Sequence, residues 1–219
     1  MSTSFADVAE RVQHIRERIL RAGGGDVGIV AVTKGFGVEA IAAAVAAGIT
    51  MVGENYAQEA VPKVLRARAD GLEFSTHFIG HLQSNKVRSL APVVDVWQTI
   101  DRASLVDEVA GRAVGARVFV QVNATGEDTK FGCLPGDVAA LVGSAFAAGV
   151  VVEGLMAMGP TDGDAARTRA AFATTRALAD RLGLRECSMG MSADLEIAVA
   201  EGATLVRIGS ALFGPRSSH

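Results

Sequence analysis

The chain has 219 residues, 49% hydrophobic and 21% charged, with a net charge of −3 and a mean hydropathy of +0.30. That length supports one barrel- or sandwich-sized core, and the composition excludes the disordered class. No broad basic field is available for nucleic acid or an anionic membrane, so any phosphate site must be local.

Cys133 and Cys187 stand far apart in sequence and form neither a disulfide framework nor a metal-ligand pattern, which points to a reducing compartment. There is no apolar run of ~18 residues and no basic-then-apolar leader at the N-terminus. A cytoplasmic protein is expected.

The chain opens on an amphipathic pattern, about Phe5 to Arg21, read as a helix. One grammar then repeats: a short apolar run, a polar turn, a helical stretch. "VGIVAVTK" precedes the Ala-rich "VEAIAAAVAAG", with Gly48 as its C-cap. "ITMVGEN" precedes "AQEAVPKVLRARAD", "STHFIG" precedes "SNKVRSLAP", and "VVDVWQTI" precedes "RASLVDEVAGRAV". "ARVFVQVN" leads through a polar loop to "GDVAALVGSAFAAG", and "VVVEGLMAMG" to "DAARTRAAFATTRALADRLG". "RECSMGM" is followed by "SADLEIAVAEG", and "TLVRIGSALFG" closes the chain with a short terminal turn. The strands are apolar throughout, not alternating, which implies burial on both faces and a parallel sheet. Eight such units predict a single α/β domain over 1–219, a (β/α)₈ TIM barrel with an extra N-terminal helix.

In such barrels chemistry gathers at the C-terminal ends of the strands, and phosphate often sits near strands seven and eight. Lys34 stands at the first exit, in "GIVAVTKGFG". An amine desolvated against an apolar rim loses its proton more readily and can form an imine with an aldehyde. The alternative is a lysine whose stem covers the rim while its head reaches water.

In the closing segment, Ser188 and Ser192 bracket a glycine at the end of strand seven. "RIGS" puts Gly209 and Ser210 at the exit of strand eight, before a short helical turn. Freed amides, hydroxyls and a helix start together suit a phosphomonoester. The alternatives are a plain tight turn at "RIGS" and a plain N-cap at Ser192. Asp194, in the first helical turn, must point away from such an anion. Arg207 shares the inward face with Gly209 and needs an acceptor. A heteroaromatic nitrogen or an internal carboxylate, Glu54 or Glu153, would serve.

His77 and His81 lie four apart in a strand-then-turn setting that does not make a metal site. His81 reads as a ring neighbour, and Asn55 as a site residue or a helix cap. Lys130 is a surface lysine unless its loop folds inward, and the two cysteines are small inert hydrophobes. An amine, a phosphate cradle and an arginine for a ring nitrogen fit pyridoxal 5′-phosphate, which carries an aldehyde, a phosphate and a pyridine nitrogen.

The stretches "AVTK", "GENYAQE", "HFIGHLQSNK", "KFG", "EGLMAMG", "SMGMSADLEIAVAEG" and "VRIGSALFG", in order from 31 to 214, resemble the pyridoxal phosphate homeostasis proteins. That family is similar to the N-terminal barrel of alanine racemase. The resemblance implies a Schiff base at Lys34, Arg207 facing the pyridine nitrogen, and phosphate held by Ser192, Gly209 and Ser210. Asn55, His81 and Met191 would line the ring pocket. Many relatives carry proline after the lysine, whereas "GFGVEA" puts Gly35 and Gly37 there and predicts a looser loop.

An arginine at the ring nitrogen keeps it unprotonated and weakens the ring as an electron sink. The racemases add a β-rich domain with a catalytic tyrosine, for which 219 residues leave no room. A monomeric carrier that buffers the cofactor and delivers it to apo-enzymes is therefore expected. The alternatives are a slow amino-acid racemase and a sugar-phosphate enzyme using Lys34 for a substrate imine.

Overall fold

The computed structural model describes residue 5 and residues 7–215. Eight parallel strands pair in sequence order, and β1 closes on β8. They are β1 Gly28–Val32, β2 Met51–Glu54, β3 Ser75–Phe78, β4 Val96–Ile100, β5 Arg117–Val122, β6 Val151–Ala157, β7 Glu186–Ser188 and β8 Leu205–Ile208. The helices that follow them in turn are α2 Val38–Ala46, α3 Ala57–Ala69, α4 Ser84–Leu90, α5 Ala103–Ala110, α6 Val138–Ala147, α7 Ala165–Arg181, α8 Leu195–Ala200 and the single turn α9 Ser210–Phe213. The (β/α)₈ barrel predicted from the repeated grammar is the observed fold, and every predicted strand is present.

The leading helix α1 is Val8–Arg21, with Val8, Val12, Ile15 and Ile19 on its buried face. Phe5 precedes the helix, and Ala6 lies outside the described residues. Because α9 is only one turn long, α1 closes the outer ring by packing against α8, α9 and α2.

Two apolar layers result from the strand period of two. Outward-facing residues join the helices in one large core, whereas Val96, Phe119, Met156 and Leu205 form a separate cluster with Met51 and Met158 inside the barrel. Above that inner cluster the lumen turns polar, with His77, Gln98, Gln121, Ser188 and Arg207 all buried. The mouth above this layer is where the strand exits converge.

Candidate functional site

The turn that carries Lys34 is built at the exit of β1. Phe36 N donates to Thr33 O at 3.1 Å, and Gly35 takes a φ of 74°, the left-handed region open to glycine. Lys34 is half-buried and lines a cavity of about 830 Å³ at the mouth. The loop is not loose, as the two glycines had suggested, because it is tied from below. Lys63, on α3, donates to Thr33 O at 2.8 Å and Phe36 O at 2.9 Å, and Gly35 N donates to Glu59 at 2.9 Å. Phe36 also packs its ring edge-to-face against Phe5 and at a tilt against Phe213.

Lys63 is itself held by a buried ion pair, 2.7 Å from Glu54 Oε1, which also accepts from Thr33 Oγ1 at 2.5 Å. Glu54 thus faces outward to α3, away from the lumen, and burial pushes its carboxyl above the usual range despite Lys63. Glu153 pairs with Arg117. Neither carboxylate partners Arg207, so the internal ion pair weighed for that arginine is absent.

Arg207 instead donates to uncharged oxygens. Nη1 reaches Ser188 O at 2.7 Å and Ser188 Oγ at 2.8 Å, and Nη2 reaches Ala157 O at 2.9 Å. Burial draws its pKa down to about 10, which leaves it cationic at neutral pH. A guanidinium has five N–H donors. Two of these have no acceptor among the described residues, and Arg207 lines the same cavity as Lys34.

Ser192 and Ser210, from the exits of β7 and β8, bring their hydroxyl oxygens to 3.4 Å and line the cavity with Gly209. Ser192 does not cap α8. Asp194 occupies the N-cap position, and no side chain there accepts from the helix. Asp194 turns back to accept from Met191 N at 2.6 Å and is not part of the lining, the geometry an anion at Ser192 requires. From outside, Arg18 of α1 donates to Ser192 O at 3.1 Å, and Arg11 to Leu212 O at 2.9 Å, so the extra helix braces both segments.

Asn55 lines the cavity, and its Oδ1 is buried without a partner among the described residues. It does not cap α3, where Tyr56 holds the N-cap position and no side chain caps. Gly80 allows the close approach of β2 and β3 here, since a Cβ on it would meet Asn55 O at 2.0 Å. Met191, which the resemblance placed at the ring pocket, lines the cavity with Met158, and Val32, Phe36 and Ile79 complete an apolar wall that has no motif in the sequence.

His81 is not in that lining. Its exposed ring stacks on Phe131, with centroids 3.6 Å apart, on the loop after β5. The same loop folds inward, and Lys130 donates to Gly159 O across it. Asn123 spends its amide on the loop's own Glu127 O. Burial pushes the Cys133 and Cys187 thiols up to about 12 and about 11, so neither supplies a thiolate.

The family described as alanine racemase, N-terminal domain, matches residues 4–217, and it defines the class as a barrel of that type. A pyridoxal phosphate homeostasis protein of Pseudomonas aeruginosa is 41% identical, covering 99% of this chain and 97% of its own length. One from Deinococcus radiodurans is 43% identical over 91% and 95%. This chain belongs to the pyridoxal phosphate homeostasis protein family. PipY of Synechococcus elongatus, solved with pyridoxal phosphate bound, superposes with a TM-score of 0.84 at 33% identity, covering 94% of this chain and 100% of that one. The alanine racemase of Clostridium difficile shares the fold alone, with a TM-score of 0.74 at 14% identity over 95% of this chain and 57% of that one.

Proposed function

We propose that the barrel mouth holds pyridoxal 5′-phosphate as a Schiff base with Lys34, and that the protein stores and hands on the cofactor instead of turning over a substrate. The observation that carries this reading is the convergence, in one cavity, of Lys34 from β1, Asn55 from β2, Ser192 from β7, and Arg207 and Ser210 from β8. The groups match a phosphorylated pyridine aldehyde: an amine, a buried unpartnered acceptor, a guanidinium with spare donors and a hydroxyl pair. Condensation of the Lys34 amine with the aldehyde expels one water and is reversed by water, so the same bond serves retention and release.

The lining supports storage over racemisation. Among the described residues it holds Lys34 as one group able to move a proton at Cα, but no carboxylate, imidazole, thiol or phenol as a second acid or base on the opposite face. Tyr56, the one tyrosine of the chain, is exposed at the start of α3 and is not in the lining. Apo-enzymes that depend on the same cofactor are the proposed recipients.

The chain has four lysines, Lys34, Lys63, Lys86 and Lys130, so covalent mapping is decisive. Reduction with borohydride after loading should fix one cofactor per chain on the Lys34 peptide. Label on another lysine, or none, would overturn the assignment. Loaded protein in D₂O should exchange Cα–H of alanine no faster than free cofactor does, and faster exchange would favour the racemase reading.

The hydroxyl pair predicts a phosphate-specific defect. Hydrogen bonds to charged groups contribute about 1.5–3 kcal/mol each. Ser192→Ala with Ser210→Ala should weaken pyridoxal phosphate roughly 100-fold in equilibrium titration and leave unphosphorylated pyridoxal within about twofold. Equal losses for both would mean that the serines do not face the phosphate.

A further inference from the structure

Arg207 is one end of a chain of hydrogen bonds that crosses the barrel lumen. Ser188 Oγ lies 2.7 Å from Gln98 Oε1, and Gln98 Nε2 lies 2.7 Å from His77 Nδ1. These four side chains come from β8, β7, β4 and β3 and are at most 4% exposed. β4 and β7 are not neighbours in the sheet, so the Ser188–Gln98 bond spans the interior where no backbone ladder links the two walls.

Donor and acceptor roles along the chain follow from its ends. A guanidinium only donates, so Ser188 Oγ accepts from Arg207 and must send its own proton elsewhere. Gln98 Oε1 is the acceptor at hand, which turns the Gln98 amide nitrogen toward His77. His77 Nδ1 must then accept, so the ring is neutral with its proton on Nε2. Burial, with the nearby Arg117 charge, draws the imidazole pKa down to about 4, in agreement with that assignment. Each member can take only one orientation while its neighbours keep theirs. A half-satisfied buried network costs more than a complete one, which makes the arrangement cooperative.

We propose that Gln98, anchored by His77 and acting through Ser188, is a positioning residue that fixes the Arg207 guanidinium so that one of its two spare donors meets the ring nitrogen of bound pyridoxal phosphate. This rests on the cofactor reading above, and it assigns a role to three lumen residues that do not line the cavity. Ala157 O and Ser188 O alone would leave the guanidinium free to tilt about two carbonyls. The Ser188 hydroxyl, itself oriented across the lumen, removes that freedom.

The test is equilibrium binding of two ligands, pyridoxal phosphate and its deaza analogue, in which C–H replaces the ring nitrogen. The wild-type chain should bind the analogue more weakly, because Arg207 then meets no acceptor. Gln98→Leu should weaken pyridoxal phosphate about tenfold and leave the analogue unchanged, so that the preference disappears. Ser188→Ala, a smaller change in the same chain, should give the same loss and keeps the test available if Gln98→Leu does not fold. If either variant weakens both ligands alike, or keeps the wild-type preference, the positioning role is overturned. If the wild-type chain itself shows no preference, the placement of Arg207 at the ring nitrogen falls first and takes this proposal with it.

Discussion

Lys34→Ala is expected to abolish borohydride-stable labelling by pyridoxal phosphate while the barrel remains folded. The side chain is half-buried in an exit turn, outside both apolar layers, so truncation should change stability by at most about 1 kcal/mol. No other lysine can stand in for it. The three ammonium protons of Lys63 all have acceptors, in Glu54, Thr33 O and Phe36 O. Lys130 is bonded to Gly159 O in the β5 loop, and Lys86 lies on α4.

The hydroxyl pair and Arg207 survive the substitution, so binding should persist without the covalent bond, roughly 100-fold weaker or about 2.7 kcal/mol. Lys34→Arg separates charge from chemistry. It keeps a cation at the mouth but offers no nucleophilic amine at neutral pH, and it should fail the labelling test as completely as alanine. Absorbance of the loaded protein before and after reduction reads both variants. Labelling that survives in either one would remove Lys34 from the centre of the site.

Much of this site was legible because the fold class says where to look. Strands as apolar as "GIVAV" have to be buried on both faces, and a repeated strand-helix grammar closes them into a barrel whose exits can be counted along the chain. Lys34, Asn55, Ser192, Arg207, Gly209 and Ser210 stand at exits that can be counted in this way, Met191 follows only from the family resemblance, and all seven line one cavity. The same rule brings His81 to the mouth, outside the cavity lining. It follows β3 like the others, but its ring leans outward onto Phe131, an exposed partner from a loop whose path has no sequence signature.

What escaped the sequence was mainly the side chains that support the site. Lys63 sits in "AVPKVLR", where a lysine on a helix reads as a solvated face, and only the folded chain shows it reaching under β1. Glu54 is a candidate partner for Arg207 in the sequence because an inward-facing arginine needs an acceptor, yet Glu54 points outward to α3 while Arg207 points into the lumen. Gly35 and Gly37 suggested slack by their lack of side chains, but slack is decided by the carbonyls of Thr33 and Phe36, which Lys63 holds. The Gln98–Ser188 bond joins residues 90 positions apart, which no local pattern announces.

Lys63→Met carries the largest expected cost to the fold. It leaves Glu54, fully buried, with only the Thr33 hydroxyl as a partner for a negative charge. Removing one member of a buried ion pair costs about 3–5 kcal/mol, because the survivor keeps its desolvation penalty. At this chain length that lowers the melting temperature by roughly 6–20 °C. Adding Glu54→Gln should restore a good part of the loss, since it removes the uncompensated charge and keeps an acceptor for Thr33.

The deficit should also depend on pH, with a definite sign. The folded-state pKa of Glu54 is already raised by burial, so its contribution is most favourable at low pH and is lost as pH rises through the folded value. Without Lys63 the pKa rises further. The stability gap between Lys63→Met and the wild-type chain should therefore narrow as the pH falls, as Glu54 takes up its proton. Denaturant melts at two pH values measure this directly, and a gap that widened toward acid would contradict the ion pair's role. The double variant still lacks the clamp on Thr33 O and Phe36 O. It should regain stability without regaining full cofactor uptake, because Lys63 both neutralises Glu54 and holds the turn from which Lys34 projects.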